Sequence, residues 1–119
     1  MKETKAMSPE VYENMQINFK KDLIVEKINE ELKNYANNPM YDWVEVIIDG
    51  DYSTTVRNEA AKEFVKAGWK KVYHRTSSEN GEKSGLTRFI LLTDETVDEW
   101  EQCHDKNKFW YVSEKDLLM

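Results

Sequence analysis

The sequence predicts an α+β fold, a split β-α-β unit in which a three-stranded, mostly antiparallel sheet packs with two or three helices. Segments with helical spacing of apolar residues alternate with short apolar segments typical of strands, in the order α-β-α-β-β-α. One helix joins the first two strands, so these strands can lie parallel, with the most apolar strand between them in the order 1-3-2. The length of 119 residues corresponds to a single domain.

The N-terminal part is predicted to be helical over residues 9–40, after a polar, disordered segment at residues 1–8. Ser8–Glu10 has the composition of a helix start, with an N-cap serine, a proline and an acid. The next turns also allow a short strand at Gln16–Phe19, and both alternatives stay open. A helix is predicted over Lys21–Asn37, because apolar residues recur there at helical spacing. They are Ile24, Ile28, Leu32 and Tyr35.

Residues 41–93 are predicted to form the sheet core. Tyr41–Asp49 is predicted to be a strand, because its apolar residues alternate between two faces. Val44, Val46 and Ile48 lie on one face, and Trp43 and Ile47 lie on the other. The second helix, Thr54–Ala67, is followed by Gly68, a residue that suits a left-handed helix C-cap. The two strands of a long hairpin complete the core, and the second is apolar on both faces, as a central strand is. These strands are Lys70–Thr76 and Thr87–Leu92.

Residues 94–119 are predicted to form an acidic helix and a C-terminal anchor. Thr93 is the expected N-cap, and acidic residues cover one side of the helix as far as Asp105. The opposite, apolar side is predicted to hold four residues: Val97, Trp100, Cys103 and His104. Phe109–Val112 is either an extra C-terminal strand or an anchor, and Ser113–Asp116 resembles a capping box.

Charge is distributed unevenly along the chain, whose net charge is −6. Residues 53–93 contain eight Lys or Arg against four Asp or Glu, a net charge of +4. Residues 1–52 (6 against 11) and residues 94–119 (3 against 8) each have a net charge of −5. Such segregation is typical of electrostatic association with a partner, and ordinary solvated surfaces also show it.

Several classes of protein do not fit the composition. No apolar run approaches the roughly 20 residues of a membrane-spanning helix. The N-terminus has no apolar core of a secretory signal, and the chain has a single cysteine, Cys103. An intrachain disulfide is therefore excluded, which favours a reducing compartment, and a cytoplasmic location is expected.

No pattern of catalytic or metal-binding residues stands out. Asp49-Gly50-Asp51 offers two carboxylates, but a calcium loop needs further oxygen ligands, so a turn is the preferred interpretation. Cys103 and His104 are neighbours in sequence, which gives them no nucleophile–base geometry, and packing is preferred for both. We therefore expect a protein without a catalytic site, cofactor or metal.

The hairpin segment resembles known sequences. The residues involved are Ala67-Gly68-Trp69, Thr76–Glu82 and Gly85–Phe89. They are similar to a hairpin in small, mostly uncharacterised accessory proteins of Gram-positive phages and prophages. The resemblance implies a phage-type protein in the cytoplasm of a host cell, and many such proteins bind host machinery. Anti-CRISPR proteins are similar to this chain in size and acidity only.

Two functional hypotheses follow. The first is a non-enzymatic interaction protein, such as an inhibitor of a host nucleic-acid-processing or CRISPR effector complex, that places acidic surfaces and the loop 76–86 against a basic cleft. Glu30 and Glu31 belong to these acidic surfaces. The predicted partner-binding residues are Asp94, Asp98, Glu99, Glu101, Glu79, Asn80 and Glu82.

The second hypothesis is a nucleic-acid-binding accessory module that uses the basic, aromatic hairpin 69–88. Cations would contact phosphates and aromatic rings would stack on bases. The candidate residues are Lys70, Lys71, Tyr73, Arg75, Lys83 and Arg88. The competing interpretation is that the strand Lys70–Thr76 is a sheet edge, where charges discourage aggregation.

Overall fold

The structure is a computed structural model that describes residues 5–37, 43–77 and 85–118. Helices and strands are numbered here in chain order. They are α1 (Pro9–Asn37), β1 (Val44–Asp49), α2 (Thr54–Lys66), β2 (Lys71–Thr76), β3 (Leu86–Leu92), α3 (Val97–Cys103) and β4 (Trp110–Ser113). Two short 3-10 helices lie at Lys106–Lys108 and Glu114–Leu117.

The four strands form one antiparallel sheet in the order β1-β3-β2-β4. The apolar strand β3 lies between β1 and β2, and its Leu91 faces Val44 on one side and Val72 on the other. The predicted α+β class and three-stranded core are confirmed, and the predicted segment Phe109–Val112 corresponds to an extra strand at Trp110–Ser113.

The strand β2 is not a sheet edge, so the interpretation of its charges as edge protection is wrong. β4 pairs along it, with Lys71 opposite Ser113 and His74 opposite Trp110. The edges among the described residues are β1 and β4. The prediction failed because the aromatic segment before Ser113 pairs with a strand some 40 positions earlier, a contact that local pattern does not reveal.

The sheet is covered on both faces. α1 and α2 pack on one face around a core that includes Ile24, Ile28, Val46, Phe64 and Phe89. A smaller aromatic cluster covers part of the other face, where Trp100 of α3 lies against Tyr73, Ile90 and Leu92. The sheet therefore separates a large aliphatic core from a small aromatic one.

The N-terminal part is one long helix, so the alternative of a strand at Gln16–Phe19 is wrong. Ser8 caps it as predicted, and its Oγ accepts a hydrogen bond from the Val11 N–H at 3.2 Å. The predicted helical residues 38–40, the first two strand residues (41 and 42) and residues 1–4 lie outside the described part of the chain. In the described ranges even the 29-residue α1 lacks a segment apolar enough to cross a bilayer.

The acidic helix is shorter than predicted. Thr93 begins a turn, in which its N–H donates to Thr96 Oγ1 at 2.9 Å, and α3 starts only at Val97. Cys103 is the last helical residue and is exposed, so its predicted place on the apolar side is wrong. His104 lies beyond the helix, and its ring stacks on Trp100 at 4.6 Å between centroids.

The end of α2 follows the predicted C-cap. Gly68 has φ of +121°, and its N–H donates to the Val65 carbonyl at 3.1 Å. The Trp69 N–H donates to the Phe64 carbonyl, also at 3.1 Å. These two bonds form a Schellman motif, which satisfies the last carbonyls of the helix and turns the chain into β2.

Replacing Gly68 with alanine is expected to destabilise the protein by about 1–2 kcal/mol, because a Cβ is unfavourable at this positive φ. Open space surrounds the position where that Cβ would lie, so a steric clash adds nothing. Urea unfolding measures the change. Lys66→Ala, two residues earlier at an exposed helical position, is the control and should change stability by less than about 0.5 kcal/mol. Equal stabilities would contradict the role of backbone strain.

Candidate functional site

The predicted acidic partner-binding residues do not act as one group. Asp98 and Glu99 lie exposed on α3, and no described cation pairs with them. Asp94 forms an ion pair with Lys70 at 3.4 Å. Glu101 points to the sheet, where it bonds Lys71 and Tyr73, and its predicted role in partner binding stays a prediction. Glu79, Asn80 and Glu82 lie outside the described residues.

Glu101 belongs to a polar cluster with Lys71 and Tyr73. Its carboxylate accepts hydrogen bonds from the Tyr73 hydroxyl and from Lys71 Nζ, the latter at 2.8 Å. Burial and the neighbouring carboxylate raise the pKa of Tyr73 to about 12, and Tyr73 therefore stays protonated. The pKa of Glu101 is lowered, because its bonds to Lys71 and Tyr73 outweigh an opposing effect of burial. The cluster fastens α3 to β2 and offers no free group for chemistry.

The basic hairpin is largely neutralised within the protein. Lys70 lies between Asp94 and Glu114, and Arg88 Nε is 3.1 Å from the Glu45 carboxylate. Tyr73 is fully buried and presents no face on which a base could stack. Arg75 lies over the Phe109 ring at 4.7 Å, and Lys83 lies outside the described residues. Nucleic-acid binding by the hairpin stays a prediction.

A second polar network lies buried between α2 and the sheet, and the sequence patterns did not single out its members Arg57 and Asn58. Arg57 Nε donates to His74 Nδ1 at 2.9 Å, and Arg57 Nη1 donates to the Tyr52 carbonyl at 2.6 Å. His74 Nε2 lies 2.7 Å from Asn58 Oδ1. Because Nδ1 accepts, Nε2 holds the proton of a neutral ring and donates to Asn58. Burial and the neighbouring Arg57 lower the pKa of His74 to about 3.

Neither network resembles a catalytic or metal centre. The N–H groups of Arg57 donate hydrogen bonds to nearby acceptors, and His74 is neutral and fully buried. In the described part of the chain, no three His, Cys, Asp or Glu side chains are placed to hold a metal ion.

The edge of β1 is a surface with unused backbone groups. Gly50 N–H donates to the Gly85 carbonyl at 2.6 Å, so Gly50 belongs to the residues whose backbone faces β3. Backbone direction alternates along an antiparallel strand, so Glu45, Ile47 and Asp49 direct theirs away from the sheet. The Tyr35 hydroxyl accordingly reaches the outward carbonyl of Glu45 at 2.5 Å. Ile47 and Asp49 have no such partner among the described residues.

Two cavities meet along this edge, and Ile47 lines both. The larger, about 350 Å³, is aromatic and is lined by Tyr35, Trp43, Glu45, Ile47 and His104. The smaller, about 210 Å³, is lined by Lys27, Glu30, Glu31, Ile47, Ile48 and Asp49. Together they form what we call the β1 groove. Ile47 lies at the centre of the groove and is 49% exposed, although an apolar residue of this size usually packs away from water.

The β1 groove is acidic at one end. Glu30, Glu31 and Asp49 are exposed, and in the described structure no cation forms an ion pair with them. Lys27 is the one basic residue that lines this end, and Glu45 is neutralised by Arg88. Negative charge in a partly enclosed cavity is less screened than on an open surface, so it attracts cations more strongly.

Parts of the β1 groove could be predicted from the sequence, but not their arrangement. Glu30 and Glu31 were among the predicted acidic surfaces, and Ile47 was assigned to the face opposite Val46. The predicted order 1-3-2 already made β1 an edge strand. α1 and the segment after α3 border the same edge of the sheet. This arrangement depends on tertiary packing.

Comparisons with protein-family models, curated proteins and solved structures gave no match. The resemblance to phage accessory proteins therefore stays a prediction, and functional inference depends on the geometry of the chain itself.

Proposed function

We propose that the chain is a non-enzymatic interaction protein that binds a basic, extended polypeptide segment along the β1 groove. The observation that carries the proposal is that two cavities meet at Ile47, on a strand edge where the outward backbone groups of Ile47 and Asp49 have no partner among the described residues. A sheet edge of this kind pairs with an added strand, and pockets beside it select the side chains of that strand.

The backbone geometry supports strand addition. Ile47 and Asp49 each direct a backbone N–H and C=O outward. They are two residues apart, which is the spacing between successive hydrogen-bonded residues in an antiparallel pair of strands. The other edge strand, β4, is only four residues long, and two of its residues, Trp110 and Tyr111, are exposed aromatic residues. β1 is therefore the better template.

The chemistry of the groove supports a basic segment with an apolar or aromatic residue. The larger cavity accepts an aromatic or branched side chain, because the rings of Trp43 and His104, which contact each other edge-on at 5.7 Å between centroids, form one wall of it. Glu30, Glu31 and Asp49 favour Lys or Arg at the other end. Added salt should weaken the complex by screening.

This proposal is a more specific form of the first hypothesis from the sequence, a non-enzymatic protein that binds a basic partner through acidic surfaces. Basic extended segments are frequent in proteins that handle nucleic acids, so an inhibitor of a nucleic-acid-processing or CRISPR effector complex remains the wider proposal. Asp98 and Glu99 are a second acidic surface that such a partner could contact. The chain itself acts by occupying the partner, without a catalytic step.

The test uses a synthetic peptide of alternating lysine and valine, with calorimetry as the binding measurement. Replacing Ile47 with proline removes the outward N–H, which edge strands tolerate, and should raise Kd about tenfold. Ile47→Ala is the matched control: it loses side-chain contact but keeps the N–H, and its loss of affinity should be smaller. Methylation of alternate peptide nitrogens should abolish binding to the wild type.

The acidic end is tested by Glu30→Gln with Glu31→Gln, which should weaken binding and reduce its dependence on salt. Asp98→Asn with Glu99→Asn is the matched control, which removes two charges away from the groove and should leave Kd unchanged. If the substitutions at Asp98 and Glu99 abolish binding and those at Glu30 and Glu31 do not, the binding site is the outer surface of α3. The proposal that the β1 groove binds the peptide would then be wrong.

A further inference from the structure

The larger cavity of the β1 groove has aromatic walls that come from three separate segments. Tyr35 belongs to α1, Trp43 directly precedes β1, and His104 directly follows α3. The volume of about 350 Å³ is at the small end of the range for ligand sites, so the cavity suits one side chain or a ligand of similar size. Rings from distant parts of the sequence thus form one small, partly enclosed surface in the folded protein.

The aromatic walls are fixed by contacts that restrict their orientation. The His104 ring stacks on Trp100 at 4.6 Å between centroids, and its Nδ1 donates to the Trp100 carbonyl at 3.0 Å. Trp43 meets His104 at 88° between ring planes and packs against the buried aromatic cluster. The Tyr35 hydroxyl donates to the Glu45 carbonyl at 2.5 Å. A site with preorganised walls loses little side-chain freedom when it binds a ligand.

The charges around the larger cavity favour a cation that aromatic rings can enclose. Among the residues that the structure describes, no Lys or Arg lines this cavity, and its carboxylate, Glu45, is paired with Arg88 at 3.1 Å. The faces of aromatic rings are negative and attract cations. The exposed carboxylates of Glu30 and Glu31 line the adjoining cavity and add negative potential. Because Glu45 already has a partner, the rings are the main attraction for a bound cation.

We propose that the larger cavity binds a trimethylated ammonium group, carried by a methylated lysine of the segment that lies along the β1 groove. A trimethylammonium group has the branched shape of a tert-butyl group and a positive charge. It has no N–H to donate to a carboxylate, and proteins recognise it through the faces of aromatic rings. The source of the group rests on the proposed function, whereas the chemistry of the cavity does not.

Choline tests the chemistry of the cavity without any peptide. It carries a trimethylammonium group, and its uncharged tert-butyl analogue has the same shape without the charge. Choline should bind the full-length protein with a millimolar Kd, and the analogue should bind at least about tenfold more weakly. NMR titration measures both values, with the indole N–H signal of Trp43 as the local probe. Equal Kd values for the two compounds, or no binding of either, would overturn the inference.

Substitution of Trp43 identifies the rings as the source of the affinity. Trp43→Leu keeps an apolar side chain but removes the ring face, so the Kd for choline should rise at least about tenfold. Trp43→Phe keeps a ring that attracts cations less strongly and should give an intermediate Kd. Trp110→Leu, at another exposed tryptophan, should leave Kd unchanged. Circular dichroism confirms that each variant is folded. Unchanged choline binding by folded Trp43→Leu would contradict the aromatic site.

Methylated peptides test the source of the group. The alternating lysine and valine peptide carries trimethyllysine or lysine at one of two adjacent central positions, so that the side chain leaves either face of the added strand. At one position trimethyllysine should bind at least about tenfold more tightly than lysine, and Trp43→Leu should remove this gain. Equal binding of both forms at both positions refutes a methylated lysine and leaves strand addition standing. If choline binds and no peptide does, strand addition is wrong, and so is a methylated lysine as the source.

Discussion

Replacing Trp100 with alanine is expected to lower the free energy of unfolding by about 3–5 kcal/mol, the range for large aromatic residues in a core. Small domains are stable by only about 5–15 kcal/mol, so this one change removes a large share. Trp100 is fully buried and is the only buried residue of α3. Its ring centroid lies 4.4 Å from that of Tyr73 and 5.2 Å from that of Phe109.

The loss should be concentrated on one side of the sheet. The aromatic cluster around Trp100 is separated by the sheet from the aliphatic core beneath α1 and α2, so α3 should detach before the rest unfolds. Hydrogen exchange of the α3 amides should therefore increase more than exchange in β3. The Lys71–Glu101 contact should weaken in the same variant, because α3 no longer holds Glu101 in place.

Trp110→Ala is the matched control for size and chemistry. Trp110 is 53% exposed on the edge strand β4, so its truncation should cost less than about 1 kcal/mol. Urea unfolding followed by circular dichroism compares the two variants. Similar losses for both would mean that α3 is not held to the sheet through Trp100.

The second large effect is a loss of stability in acid caused by His74. The pKa of His74 is lowered from its ordinary value of 6.5 to about 3, first by burial and then by the charge of Arg57. The unfolded chain therefore binds a proton at a higher pH than the folded protein does. The stabilising contribution is complete above about pH 6.5 and is lost as the pH falls towards 3, by up to about 1.4 kcal/mol per pH unit.

The hydrogen bonds explain why the ring resists protonation. A proton on Nδ1 would remove the acceptor of the Arg57 Nε–H and place two positive groups about 2.9 Å apart in a buried site. Such a buried, unpaired charge is unfavourable, and β2 cannot move to relieve it because β2 is held between β3 and β4. Protonation of His74 therefore favours unfolding.

His74→Gln is the variant that isolates this effect. Glutamine has no proton equilibrium in this range, so its stability should fall less than that of the wild type between pH 7 and pH 4. Carboxylates titrate in both proteins, and subtracting the two pH profiles removes their contribution. Parallel profiles would contradict the neutral, buried state of His74. Histidine titration followed by NMR in the folded protein gives an independent measure of its pKa.

Much of the fold could be predicted because local signals agreed with one another. The Ser8 cap, the Schellman end at Gly68 and the continuous apolar run of β3 each depend on a few neighbouring residues. The candidate site was less predictable. The side chain of Glu101 points to the sheet because Lys71 and Tyr73 lie beneath it, although they are about 30 positions away in sequence.

The sequence by itself determined the elements, their order and the central place of the apolar strand, because helix caps and apolar periodicity are properties of short segments. Only the tertiary structure decided that β4 covers β2, that two cavities lie beside the edge strand β1, and that one stripe of α1 stays exposed. These features depend on which distant segments meet. Pairing between distant segments is set by the fit of whole surfaces, which no single segment encodes.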